Sequence, residues 1–234
     1  MLKNLAANLT VIAANYYFCQ KHRAKLVDKL KATSESIIQD FEAISDDRKS
    51  LLDELSIYIA GKLNSQREVN LIFICTHNSR RSHMAQIWAQ AAAYFFEIKN
   101  IKTFSGGTQK TAFNSHAVDA LKKAGFKIKK QEEGSNPKYR VKFSKKEKPL
   151  VCFSKKYSHK KNPHQDFVAV MTCSDADESC PVIVGAEYRT TIKYDDPKIF
   201  DSTDKAAFAY EERSLQIGTE MLYAFKKVAG LLKN

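Results

Sequence analysis

The chain has 234 residues, 44% hydrophobic and 27% charged, which suffices for one packed core with a small appendage. Aromatic residues at 11%, with 8 Gly and 5 Pro, exclude a collagen-like or disordered chain, and no run of 18 apolar residues marks a membrane span. Five Cys without regular short spacing point to a reducing cytoplasm, and the net charge of +12 gives a positive field suited to oxyanions.

The opening stretch to Cys19 is interrupted by Asn4, Asn8 and Asn15 and ends in Tyr16, Tyr17 and Phe18. That pattern does not fit a signal peptide. Residues 1–66 carry no strand signal and are expected to form a helical extension. One helix is predicted over 34–43. A second starts at Asp46 and Asp47, with Leu51, Leu52, Leu55, Ile59 and Leu63 at helical spacing.

From Val69 the pattern changes. Residues 69–74 form a short apolar run, as in a buried parallel strand. A polar loop follows, then a helix from Met84. A second strand is predicted at 101–104, ending in the turn Ser105, Gly106 and Gly107. Asn114 or Ser115 opens a helix that stops at Gly125. Further strands are predicted at 167–172 and near 191–194, and a last helix from about Thr203 to Leu232. The alternation implies an α/β fold in three layers around a mostly parallel four-stranded sheet. Residues 131–163 break it: 138–143 alternate and 149–153 are apolar, which reads as an inserted β-hairpin. The domain then spans 67–234.

The chemistry concentrates in the loop Cys75, Thr76, His77, Asn78, Ser79, Arg80, Arg81, Ser82. It lies between a strand and a helix, where backbone N–H groups and the helix dipole favour an anion. A thiol in such a place is a nucleophile candidate. Arg81 offers a planar fork for two oxygens of a tetrahedral oxyanion. Ser82 is placed to donate to the sulfur and Asn78 to pin the loop. Asp195, Asp196 and Pro197 follow the last strand, so a carboxyl group reaches the same sheet edge as a general acid. Asp-Pro also starts turns. Cys173 and Cys180 sit beyond the third strand. If 173–180 were helical, seven steps of about 1.5 Å would hold the Cα atoms roughly 10 Å apart, too far for a disulfide unless the segment unwinds. A redox switch, zinc ligation and two inert thiols all remain open on spacing alone.

The loop 75–82 resembles the active-site loop of low-molecular-weight protein tyrosine phosphatases. Cys173 to Pro181, followed by Asp195, Asp196 and Pro197, is similar to thioredoxin-coupled arsenate reductases built on that fold. Ser105, Gly106 and Gly107 stand where the family has a small-residue turn. The resemblance covers about 68–230 and leaves out 1–66 and the hairpin. It implies that Cys75 attacks arsenate while Asp196 helps water leave. Cys173 then attacks the Cys75 sulfur, Cys180 attacks Cys173, and thioredoxin reduces the resulting disulfide. The alternative is phosphomonoester hydrolysis through a phosphocysteine at Cys75.

Four departures stand out. His77 replaces a Gly, so strain is expected if that position needs positive φ. Arg80 replaces a second Cys. Gln86 stands where the reductases carry a helix acid. Lys198 and Ile199 occupy the place of the tyrosines that flank a phosphotyrosine ring. No bound cofactor or metal is expected, and neither nucleic acid nor membrane is expected as a partner. Cys19 and Cys152 are read as packing thiols, Trp88 as core, and the lysine pairs at 145–146, 155–156 and 160–161 as a solvated rim. His83 faces either core or solvent.

Overall fold

The computed structural model describes residues 26–179 and 182–232, so Cys19, Cys180 and Pro181 lie outside the described residues. The helical start is longer than expected. Helix α1 (Asp28–Ile37) begins ahead of Ser34, where extended Val27 gives way to an acid, and a 3-10 turn covers Ile38–Ala43. Leu30, Ser34 and Ile37 bury one face. Helix α2 (Asp46–Asn64) starts on Asp46 and Asp47 and ends with Lys62 in its last turn, charges that complement its dipole.

Strand β1 (Val69–Cys75) leads into helix α3 (Arg81–Phe95), and β2 (Ile101–Gly107) into helix α4 (Ser115–Lys123). The Asn114 side chain caps α4 by accepting from the Ala117 N–H. Then come β3 (Lys127–Lys130), β4 (Tyr139–Lys142), β5 (Leu150–Cys152), β6 (Phe167–Met171), the short helix α5 (Ser174–Ser179), β7 (Ala186–Thr191) and the long helix α6 (Ala206–Leu231).

The main sheet has the order β2-β1-β6-β7, and every pairing in it is parallel. Strand β1 is central and wholly apolar inside because both its faces are covered. On one face Leu71, Phe73, Val168 and Val170 join the large core shared with α2, α3 and α6. On the other, Ile72, Ile74, Ala169 and Met171 pack with Cys75, Cys173 and Ala176 in a smaller cluster. The last strand starts earlier than the sequence indicates. Ala186–Thr191 carries the register, while Ile192 and Tyr194 continue it with single bonds to Met171 and Thr172.

The hairpin β4-β5 gains β3 as a third strand, giving a separate antiparallel sheet. Strand β3 has Ile128 as its one apolar residue, too little alternation to reveal it. The sheet docks back on both neighbours. Val27 donates to the Phe143 carbonyl, and Lys156 bridges Gly107 at the end of β2. Among the described residues no helix is long and apolar enough to cross a membrane.

Candidate active site

Cys75 ends β1 and Arg81 starts α3, so the five residues between them must turn the chain through a tight loop. The loop is held from outside by its carbonyls. The Cys75 carbonyl accepts from the Thr108 N–H, that of Thr76 from Gln109, and that of Ser79 from Asn114. The His77 carbonyl accepts from the hydroxyls of Ser154 (2.9 Å) and Thr111 (3.3 Å). These bonds engage the loop carbonyls, and among the described residues no backbone bond outside the helices and strands is donated by an N–H of residues 76–80, a condition an oxyanion-binding loop has to meet.

The left-handed residue is Asn78, at φ 45°, and not His77. The strain expected at His77 therefore does not arise there. Asn tolerates this region better than most residues, and its side chain repays the bend. The Asn78 carbonyl oxygen accepts the Lys155 backbone N–H at 2.9 Å, which fixes the amide so that its NH₂ donates to Ser82 Oγ at 2.9 Å. With that lone pair occupied, the Ser82 proton is free to point at Cys75 Sγ, 3.1 Å away. A thiolate in this position accepts a hydrogen bond from an already oriented donor. Ser105, Gly106 and Gly107, read from the sequence as a turn, are instead the end of β2, and this end must come close to the loop: a Cβ on Gly107 would lie 2.7 Å from both the Thr76 carbonyl oxygen and the Asn78 nitrogen. Glycine alone fits there.

Arg81 and Asp196 meet, as the sequence placed them on one edge. Arg81 Nη2 binds Asp196 Oδ2 at 2.7 Å, and Nη1 donates to the Tyr194 carbonyl at 2.8 Å. Asp196 also accepts the Lys198 N–H, so it caps the 3-10 turn Pro197–Phe200 and faces the loop at once. Behind it, Arg48 of α2 lies 4.6 Å above the Tyr194 ring and pairs with Glu220 at 2.7 Å. Burial pushes the Tyr194 phenol well above its ordinary value. The helical extension thus braces the residue that anchors Arg81.

Arg80 is not a spare cation. Its Nε donates to the Tyr210 hydroxyl at 2.6 Å and its Nη2 to Asp201 at 3.2 Å, while Tyr210 donates to the other Asp201 oxygen at 2.6 Å. Burial raises the Tyr210 phenol, with the Asp201 bond adding to it. No local motif announces these two partners. His83 faces the core, fully buried, with Nδ1 3.1 Å from Ser105 Oγ and its ring stacked on Phe113. Burial holds it well below the usual imidazole range, so it stays neutral. Gln86 donates to the Thr103 carbonyl.

Cys173 follows β6 at the N-terminus of α5. Ile74 pairs with Met171, so Cys173 comes from the neighbouring strand just past the level of Cys75. Its sulfur lies 3.5 Å from Thr76 Oγ1, and both thiols belong to one small buried cluster. Cys152 is a packing thiol, fully buried, with burial raising it to about 12. Trp88 is core, with its indole N–H on Ser214.

One lysine was misplaced. Lys155 does not belong to a solvated rim: it is 4% exposed, over the Phe153 ring, and burial lowers its ammonium to about 8. Residues 154–157 of the insertion run along the Cys75 loop, and their position relative to it has no sequence signal.

No family model matches the chain. It is 30% identical to an arsenate reductase of Staphylococcus saprophyticus over 127 residues, which is 54% of this chain and 77% of that protein. It is 26% identical to an arsenate reductase of Bacillus licheniformis over 143 residues, 61% of this chain and 84% of the relative. Among solved structures, a low-molecular-weight protein tyrosine phosphatase from T. tengcongensis aligns with a TM-score of 0.47 at 18% identity, covering 68% of this chain and 99% of that one.

Proposed function

Because the chain belongs to the arsenate reductase family, we propose that it reduces arsenate to arsenite with Cys75 as nucleophile, Cys173 and Cys180 as a disulfide relay, and thioredoxin as the reductant. Cys75 displaces water from arsenate to form a sulfur–arsenic bond. Asp196 donates the proton that the departing oxygen takes up. Arg81 and the loop N–H groups carry the charge that develops on the oxyanion. Cys173 then attacks the Cys75 sulfur. The sulfur–arsenic pair of electrons stays on arsenic, which leaves as arsenite. Cys180 attacks Cys173, frees Cys75, and passes its disulfide to the thioredoxin dithiol.

The observation that carries this reading over ester hydrolysis is the second thiol beside the nucleophile's loop. Cys173 touches Thr76, the residue after Cys75. Ester hydrolysis needs Cys75, Arg81 and Asp196 alone and gives a thiol there no task. The test is a side-by-side assay of arsenate, thioredoxin, thioredoxin reductase and NADPH against an aryl phosphate. NADPH oxidation that depends on both arsenate and thioredoxin supports the reductase. Steady aryl phosphate hydrolysis with no NADPH oxidation gives the protein to the phosphatase reading.

A further inference from the structure

Residues 121–161 hold 15 of the 38 Lys and Arg but 3 of the 26 Asp and Glu. That segment alone carries the whole net charge of +12, and the rest of the chain balances at 23 of each sign. Its centre is the antiparallel sheet β3-β4-β5. The register places Lys127 opposite Lys142 and Lys129 opposite Arg140, with Val151 beside Arg140 on the next strand. Ile128, Val141 and Leu150 alternate with them and face the core. Two like-charged pairs therefore stand directly across from each other on the outer face, an arrangement that destabilises a sheet. Among the described residues none of these four cations has an ion-pair partner, whereas Lys130, Lys138 and Lys145 pair with Glu133, Glu132 and Asp28. Lysine on an edge strand is a common guard against edge-to-edge pairing. That accounts for Lys127 and Lys129 on β3. It does not account for Arg140 and Lys142, which lie on the central strand.

We propose that this outer face is a docking surface for an acidic polypeptide segment. The cations repeat along each strand every second residue, about 6.7 Å apart. An extended chain with a carboxylate at alternate positions has the same repeat. A cleft of about 460 Å³ lined by Lys127, Lys129, Arg140, Lys142 and Pro149 runs over this face. The face offers no aromatic ring for stacking bases: Tyr139 packs on Phe113 and Phe143 on Tyr94. Val151, 43% exposed, is its one large exposed apolar residue, too little to enter a lipid surface. The surface is continuous with the catalytic edge, because β5 runs on into Ser154 and Lys155, which hold the Cys75 loop. The docked partner therefore lies beside the site, whichever small oxyanion the site takes.

The full chain is titrated by fluorescence anisotropy with three probes: a labelled 16-residue peptide of alternating Glu and Ser, a 20-base-pair DNA duplex, and vesicles containing phosphatidylserine. The peptide is expected to bind tightest, with affinity falling as salt rises. The variant Lys127→Gln, Lys129→Gln, Arg140→Gln, Lys142→Gln is expected to weaken it about tenfold or more. A variant with four neutralised lysines elsewhere (Lys29→Gln, Lys99→Gln, Lys102→Gln, Lys205→Gln) is expected to bind as wild type. Thermal melting keeps the test sound if the sheet variant folds badly; removal of the like-charge pairs is expected to leave its midpoint equal or higher. Equal loss in both variants would reduce the effect to net charge and overturn the proposal. Tighter binding of the duplex or the vesicles, or no peptide binding at all, also overturns it.

Discussion

Asp196 and Arg81 are in direct contact, 2.7 Å apart, so the group read as the acid and the group read as the oxyanion clamp share one bond. On the proposed mechanism a bound oxyanion would take over part of the Arg81 fork and so bring its oxygens beside Asp196. Asp196→Asn is expected to slow the first chemical step by about 10²–10⁴-fold while oxyanion binding changes far less. Rapid-quench single-turnover rates and arsenate affinity separate the two. An unchanged single-turnover rate with lost affinity would leave Asp196 as a turn residue.

Cys75→Ser is expected to abolish arsenate reduction and any phosphatase activity together. Arg81→Lys is expected to be nearly as severe, because a single ammonium cannot hold Asp196 and the Tyr194 carbonyl together or offer a planar fork to an oxyanion. Activity within tenfold of wild type in Cys75→Ser sinks the assignment of the nucleophile.

Cys180→Ser is expected to stop the enzyme after one turnover with Cys75 bonded to Cys173. Cys173→Ser is expected to stop earlier, with no arsenite released. Both keep whatever slow phosphatase activity the loop has. Peptide mapping by mass spectrometry after one equivalent of arsenate reads the linkage, and free thiols at that point argue against the relay.

Asn78 has two roles that substitution can separate. Asn78→Gly keeps the left-handed backbone and loses both side-chain bonds; Asn78→Ala loses the bonds and adds strain. Each broken buried bond is worth about 1–3 kcal/mol. The Gly variant is expected to lose the stability of both bonds, about 2–6 kcal/mol, and roughly tenfold or more in kcat, because Ser82 orients less well toward the sulfur. The Ala variant is expected to lose more stability still. Equal melting temperatures for the two would remove the strain argument.

Lys155 and Cys152 give the fold an alkaline signature. Unfolded, Lys155 keeps its proton to about 10.5; folded, burial makes it release near 8. Between those values the unfolded chain binds more protons, so this residue makes stability rise with pH. Cys152 works in the other direction, since its folded value of about 12 lies above the ordinary 9.0 and stability falls as pH climbs from 9. The window from pH 8 to 9 belongs to Lys155. Lys155→Met keeps the backbone bond to Asn78 and is expected to be more stable at pH 7 by up to about 3 kcal/mol. Denaturant melts should show that gain shrinking above pH 8 and vanishing near 10.5; a gain constant with pH argues against a charged, buried ammonium.

The central strand, the Cys75 loop and the Asp196 edge were readable because each is local: an apolar run, a short polar loop, an Asp-Pro. What escaped was non-local or atypical. Strand β3 is three-quarters lysine and pairs only through β4. Strand β7 mixes Glu, Arg and Thr, since its edge position spares it a continuous apolar run, and its predicted place slid toward the apolar Ile192. Lys155 looks like any lysine in a basic stretch until the chain folds it over Phe153. Arg80 finds Tyr210 and Asp201 more than 120 positions along the chain, a distance at which no spacing rule operates.

The Ser154 and Lys155 bonds to His77 and Asn78 join residues 77 positions apart, and Arg81 reaches Asp196 across 115. Closing such wide chain loops costs entropy that local contacts do not repay, and contacts of this span form late. The anion loop therefore acquires its shape after the helices and the β1-β2 pair, whose partners lie 32 positions apart, have formed. During refolding, far-ultraviolet ellipticity returns first, and selective reactivity of the Cys75 thiol appears only when the insertion has closed over the loop.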